Sequence, residues 1–343
     1  MKLLITTQIL DREDPGLGFF HEWVAGLAAK VESIQVICLK EGRHELPANV
    51  TVHSLGKEQG AASRLVYMFR FGQLVWRLRH AHDAVFVHMN QEYILLAGWF
   101  WRILGKRIYL WRNHYAGSLL TDVAALFCTK IFCTSRFSYT AKYKKTVRMP
   151  VGVDTARFYQ DTSVTRKPSS ILFLARMSPS KRPDLLVEAL GLLISKGVSF
   201  VADFYGSPAP GDEVYYASLK ARAEALGLHD RVRFYPAVTH EKAVDVFRSH
   251  EIFVNCSPSG MFDKTLFEAA ACGALVVAAS EDFNEALGNT ASFTDALTLS
   301  EALATVLALS PESRHELEEL MGRLAENHSL PRLIDNLVRE CTA

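Results

Sequence analysis

Two stretches of the chain carry residues that could do chemistry together. One is Ser257-Pro258-Ser259-Gly260-Met261-Phe262-Asp263-Lys264-Thr265-Leu266-Phe267-Glu268 and the other is Arg176 with Lys181. A loop of Ser, Pro and Gly leaves main-chain N–H groups free. A helix beginning near Lys264 would add four orphan donors and a partial positive charge, so this loop favours an anion. Lys264 places a point charge on the same rim. Glu268 follows about one turn later, where it either supports the helix dipole or accepts hydrogen bonds from a diol. Arg176 and Lys181 are two cations in a second loop, suited to a diphosphate if they do not simply face solvent.

These side chains need elements to hold them, and the pattern supplies them. The apolar run 251–255, the Gly-containing loop, an Ala-rich helix stopping at Gly273 and a second apolar run 274–279 make a βαβ unit. Ligands bind such sheets at the carboxyl ends of the strands. The same alternation fills the chain. Strands are expected at 2–6, 33–39, 51–54, 84–88, 107–111 and 130–133, with helices at 19–31, 63–79, 94–104 and 137–143 between them. After a turn and polar linker at 148–169, strands are expected at 170–174, 200–205, 232–235 and 252–255. Helices follow at 185–195, 213–226 and 240–249, Ser180 being a candidate cap for the first. Beyond 279 we expect a loop holding Glu281, Asp282 and Glu285, a short strand near Ser292, and helices at 299–308, 312–326 and 330–339. Alternation of this kind gives parallel sheets covered by helices on both faces.

The 343 residues suffice for two domains at roughly 150 residues each. Thirty-eight Lys and Arg against 37 Asp and Glu leave no global field, which argues against nucleic acid as a partner. Six scattered cysteines without a CxxC pair favour reduced core thiols over zinc or disulfides, hence a cytoplasmic setting. The start, Met1-Lys2-Leu3-Leu4-Ile5-Thr6, is a strand and not a secretory signal.

Further candidates lie in the first half. Gly16 and Gly18 follow the first strand, either as a ligand-contacting loop or as an ordinary βα turn; the third glycine of a dinucleotide fingerprint is absent. His88 ends one strand and His114 follows the next, so both would face one crevice; His114 is the favoured contact. The 63–79 helix sets Arg64, Arg70, Arg77 and Arg79 among Leu, Val, Tyr, Met, Phe and Trp, and lies either on an anionic membrane surface or against the core.

The second half resembles glycosyltransferase family 4, the retaining transferases of the two-domain GT-B fold. The matching text is Leu174-Ala175-Arg176-Met177 with Lys181, Val232-x-Phe234, and Phe267-Glu268-Ala269-Ala270-Ala271-Cys272-Gly273-Ala274-Leu275-Val276-Val277-Ala278. Val151-Gly152-Val153-Asp154 with Phe158 is similar to the segment closing the family's first domain. The resemblance implies two Rossmann-like parallel-sheet domains facing each other across a cleft. The first, 1–158, would lie on the acceptor side, with helix 328–343 packing back on it; the second, 159–327, would bind the donor. It further implies that Arg176 and Lys181 hold the donor diphosphate and that Glu268 binds the ribose hydroxyls. The amides of Lys264, Thr265 and Leu266 would line the phosphates, with Gly206, Gly260, Phe262 and Asp263 at the donor. Gly16, Gly18 and His88 would serve the acceptor side, and His114 would join the catalytic group.

Many family members carry a first Glu eight positions before the second, where this chain has Gly260. Asp263, another group or main-chain donors must then meet the sugar. The implied reaction moves a sugar from a nucleoside-diphosphate donor to a glycan or lipid-linked acceptor in cell-envelope or other glycoconjugate synthesis. It needs no metal and no cofactor, and peripheral contact with the inner membrane face is compatible with it. A non-catalytic scaffold and a nucleotide-sugar epimerase are the alternatives.

Overall fold

The computed structural model describes all residues except Pro15, Ala61, Met261, Phe262, 289–292 and Ala343. The chain divides into two compact units, Met1–Gly152 with Leu330–Ala343, and Val153–Ser329.

In the first unit the chain runs β1 (Lys2–Leu10), α1 (Phe19–Ala28), β2 (Ser33–Glu41), β3 (Val50–Ser54), α2 (Arg64–Arg77), β4 (Ala84–His88), α3 (Glu92–Ile103), β5 (Arg107–Trp111), α4 (Leu119–Phe127), β6 (Lys130–Cys133) and β7 (Thr146–Arg148). The strands form one parallel sheet in the order β3-β2-β1-β4-β5-β6-β7. β1 lies between β2 and β4, Ile5 pairing with Val36 on one side and Phe86 on the other. Both faces are covered at the middle of the sheet, so β4 is buried along its whole length and β5 past its first residue, without alternation.

The second unit continues with β8 (Ser170–Leu174), α5 (Pro183–Ser195), β9 (Val201–Tyr205), α6 (Glu213–Ala225), β10 (Val232–Tyr235), α7 (His240–Arg248), β11 (Ile252–Asn255), α8 (Lys264–Ala271), β12 (Leu275–Ala278), α9 (Glu281–Ala286), α10 (Ala296–Leu307) and α11 (Pro311–Asn327). Its sheet is parallel in the order β10-β9-β8-β11-β12. Strand order reverses between β8 and β11, as it does between β1 and β4 in the first unit. Loops leaving two such neighbours diverge to opposite faces and open a crevice.

The final helix, α12 (Leu330–Thr342), belongs to the first unit. Leu333, Ile334, Leu337 and Cys341 form its buried face and join Trp23, Val24 and Leu27 of α1 in one core. The Tyr109 hydroxyl donates to the Cys341 carbonyl at 3.0 Å, and Lys130 Nζ meets Glu340 Oε2 at 2.9 Å.

Several local expectations fail for identifiable reasons. The acidic stretch expected as a loop is α9, where Glu281 and Asp282 occupy the first turn and suit the helix dipole. Ser180 does not cap α5. Arg182, at φ 52°, precedes Pro183 at the helix start, and Ser180 Oγ pairs with Ser178 Oγ at 2.9 Å instead. The 137–143 helix shrinks to a 3₁₀ turn over Tyr139–Lys142. α4 and β7 were not expected at all. The strand proposed near Ser292 lies outside the described residues. All six cysteines are buried thiols.

Candidate functional site

Two loops meet at the reversal point of the second sheet. One follows β8 and carries Arg176 and Lys181; the other follows β11 and runs from Cys256 to Asp263 at the start of α8. Lys181 is 9 % exposed, and its Nζ lies 2.7 Å from both carboxylate oxygens of Asp263. Ser257 Oγ is 3.3 Å from the same ammonium. Asp263 is the N-cap residue of α8, so the lysine is tied directly to the helix tip. Asn255 Nδ2 donates to Asp263 at 3.0 Å and Ser257 Oγ at 2.5 Å, while Ser257 N donates to Asn255 Oδ1 at 3.0 Å. Burial alone would raise the Asp263 carboxyl. The Lys181 charge and hydrogen bonds from Lys181, Ser257 and Asn255 outweigh it and hold the group below the usual carboxylate range.

Glu268 forms a second buried ion site one turn into α8. It is 3 % exposed, and its Oε1 lies 2.8 Å from His240 Nε2 and 3.6 Å from Lys264 Nζ. Burial again works against ionisation, and the charges and hydrogen bonds of His240 and Lys264 overcome it, so Glu268 is held below its ordinary value. His240 opens α7 just after its N-cap Thr239, and Phe158 lies against its ring at 5.0 Å between centroids.

The remaining donor-side candidates occupy the same end of the sheet. Arg176 is exposed on the β8 loop. That loop is laced to the end of β9: Ala175 N donates to Tyr205 O and Met177 N to Ser207 O, each at 3.1 Å. Gly206 lies between those contacts. A Cβ there would stand 1.9 Å from the Ala175 carbonyl oxygen, so only glycine allows the approach. Gly260 adopts φ +86°, a conformation in which glutamate would be strained. The absence of a first Glu is thus matched by the backbone. Asp263, a candidate for that duty, already has both oxygens engaged within the protein. Thr265 is half-buried, and Leu266 sends its side chain into the core. Phe262 lies outside the described residues.

The first unit treats its candidates differently. His88 is 1 % exposed and stacks on Phe20 at 3.9 Å with an 11° interplanar angle, with Trp23 edge-on at 5.9 Å. Its Nδ1 pairs with Thr7 Oγ1 at 3.2 Å. Desolvation pushes its pKa down to about 3, so it is a neutral core ring. His114 is only half-buried. It stacks on Tyr115 at 4.6 Å, and its Nδ1 accepts from Ala116 N at 2.9 Å. The two histidines therefore sit in different environments. Gly16 and Gly18 belong to a tight turn in which Asp14 Oδ1 accepts from Gly16 N at 2.9 Å and Leu17 N at 2.8 Å.

Sequence reasoning missed His240, Asn255 and Ser257 as partners of the charged groups. Asn255 and Ser257 flank the strand end, a position that signals ligand or loop contacts. His240 reaches Glu268 across two elements, and no spacing rule announces that pairing.

Comparisons with known proteins bear on this unit most directly. Residues 156–319 match the family model described as glycosyl transferases group 1. A D-inositol 3-phosphate glycosyltransferase of Streptomyces griseus is 35 % identical over 113 residues, which is 32 % of this chain and 24 % of that protein. The enzyme of the same name from Geodermatophilus obscurus is 30 % identical over 154 residues, 41 % of this chain and 34 % of that one. The match thus spans about a quarter to a third of the curated relatives' length. Among solved structures, Anabaena HepE in complex with UDP covers 100 % of both chains at TM-score 0.80 and 16 % identity. WaaG, described as a glycosyltransferase of lipopolysaccharide biosynthesis, covers 100 % of both at TM-score 0.71 and 15 % identity. The two parallel Rossmann-like sheets have the GT-B fold of these structures.

Proposed function

We propose that this chain, residues 156–319 of which match the family model of group 1 glycosyl transferases, moves a sugar from a nucleoside-diphosphate sugar to an acceptor hydroxyl, with retention at the anomeric carbon. The observation that carries this reading is the fixing of Lys181 to the N-cap residue of α8, which places a buried ammonium and a helix tip at one point. The barrier to such a transfer is dominated by negative charge gathering on the departing diphosphate. A preorganised cation and main-chain donors in a dry site lower it without reorganising.

Asp263 and Ser257 hold Lys181 in position before the donor arrives, with Asn255 bracing Asp263. Arg176, exposed on the neighbouring loop, adds a second cation, so charge on the leaving group is met by side chains and amides without a metal. Glu268, oriented by His240, accepts hydrogen bonds from the ribose hydroxyls. With Asp263 committed to Lys181 and Gly260 without a side chain, main-chain donors meet the sugar. HepE has been solved with UDP-glucose, which makes a uridine donor the first to test. The proposed acceptor is a glycan or lipid-linked sugar of the cell envelope.

The test is to incubate the protein with UDP-glucose, UDP-N-acetylglucosamine and GDP-mannose, each with and without a polyprenyl-diphosphate sugar. Nucleotide release that depends on the acceptor, with the donor's anomeric configuration kept in the product by NMR, is the expected result. Interconversion of the donor sugar would make the protein an epimerase. Neither release nor thermal stabilisation by any donor would make it a scaffold and end the proposal.

A further inference from the structure

A second feature of the molecule lies wholly in the first unit. α2 buries Phe71 and Val75 in the core, as a packed amphipathic helix should. It also has an outward apolar stripe, since Leu65, Phe69 and Trp76 recur at helical spacing on another face. α3 repeats the device with Leu96, Trp99 and Ile103. Leu65, Phe69, Trp76, Trp99 and Ile103 are between 54 % and 74 % exposed. The two stripes adjoin: Trp76 lies 5.8 Å from Phe100, and Phe100 lies 5.8 Å from Trp99. Between the helices runs an open apolar groove of about 480 Å³. An apolar surface of this extent on one face marks an interaction site.

The charges around it say what covers it. α2 has three arginines, Arg64, Arg70 and Arg77, and no Asp or Glu. Arg79 folds over the Trp76 ring at 4.3 Å, and Arg102 closes α3, whose one carboxylate, Glu92, lies in its opposite first turn. Arginines beside exposed Trp, Phe and Leu suit the boundary between phosphate headgroups and acyl chains. A second copy of the chain fits less well, because a two-fold contact would set the arginine rims against themselves. No helix among the described residues is long and apolar enough to cross a membrane, so insertion would be shallow.

We propose that the outward face of α2 and α3 docks on an anionic lipid bilayer, with the aromatic stripe in the interface and the arginines on the headgroups. The inference does not rest on the transfer reading. The test is co-sedimentation with phosphatidylcholine vesicles containing about 30 mol % phosphatidylglycerol, against phosphatidylcholine alone and against high salt. The wild-type chain should sediment with the anionic vesicles only and be released by salt. A Phe69→Ser/Trp99→Ser variant should partition about tenfold or more weakly, since each change removes a large apolar group from the interface. Arg64→Glu/Arg77→Glu should lose the preference for anionic lipid. Thermal stabilisation by UDP, compared in all variants, confirms that they fold and reports separately on the donor site. Failure of the wild-type chain to sediment, or binding unchanged in the Phe69/Trp99 variant, would overturn the proposal. So would a dimer in sedimentation velocity that this variant converts to monomer.

Discussion

The sheets, of seven and five strands, share the order of their first five strands and each reverses it once, yet the two reversal points are furnished in opposite ways. The second unit joins the loops after β8 and β11 by a charged pair, Lys181 on Asp263, and one turn into α8 sets His240 and Lys264 around buried Glu268. The end of β4, beside β1, is closed in the first unit by aromatic rings, Phe20 on His88 and Trp23 edge-on to Trp111 at 4.7 Å. A crevice is what the topology supplies; the residues that fill it decide whether it holds a charged ligand or closes as core. Buried charge is costly, and two carboxylates with their basic partners grouped at one end of the sheet are better explained by use than by stability.

The largest effect should come from Lys181→Ala. We expect turnover to fall about a hundredfold or more, because the proposed reaction loses a charged donor to its leaving group. The same change strands Asp263 as a buried unpaired carboxylate, costing about 3–5 kcal/mol of stability. Lys181→Met/Asp263→Asn removes both charges. Unfolding measurements should show stability regained while turnover stays low; recovery of both would assign the pair to structure alone and erase the contrast between the two crevices.

Phe20→Ala should do the reverse. It removes a ring that is fully buried against His88, and denaturant unfolding should show a loss of about 3–5 kcal/mol. Stabilisation by UDP should survive at temperatures where the variant is folded. Loss of that stabilisation would mean that the aromatic crevice also serves the donor.

The smallest effect concerns pH. His88 binds its proton less tightly in the folded state, at about 3, than its ordinary 6.5. Its contribution to stability is therefore full above pH 6.5 and declines as the pH falls toward about 3, by about 1.4 kcal/mol per pH unit for the one proton. Asp263 and Glu268, with lowered values, contribute above their unfolded values of 3.8 and 4.5 and fade only at more acid pH. A His88→Gln variant should flatten the decline between pH 6.5 and 5 by that one proton. Parallel pH profiles for variant and wild type would show that His88 is not a neutral core ring.

Much of the sheet was legible because buried parallel strands are written as short apolar runs between breakers. Ala84–His88, Arg107–Trp111, Val232–Tyr235 and Ile252–Asn255 were bounded correctly from that signal. β7 was not, being only three residues, Thr-Val-Arg, that no periodicity can mark. α4 escaped although Ser118 and Thr121 form a capping box at its start, the one local cue it offered. At the candidate site, spacing indicated Lys181, Glu268 and the helix start at Lys264. It did not indicate that Asp263 would hold Lys181 or that His240 would hold Glu268, since both pairings join elements distant in sequence. The outward stripes of α2 and α3 were visible as composition, but only packing separates the apolar residues facing in from those facing out.

Gly206 shows how the site extends beyond its charged groups. Because the carbonyl of Ala175 rests where a methyl would have to go, even alanine at 206 would lever the Arg176 segment off the strand it is laced to. A hunt for inactivating alleles would then return this residue beside the arginine and the lysine, although it has no functional group of its own. Its role is to leave room for a neighbour's backbone.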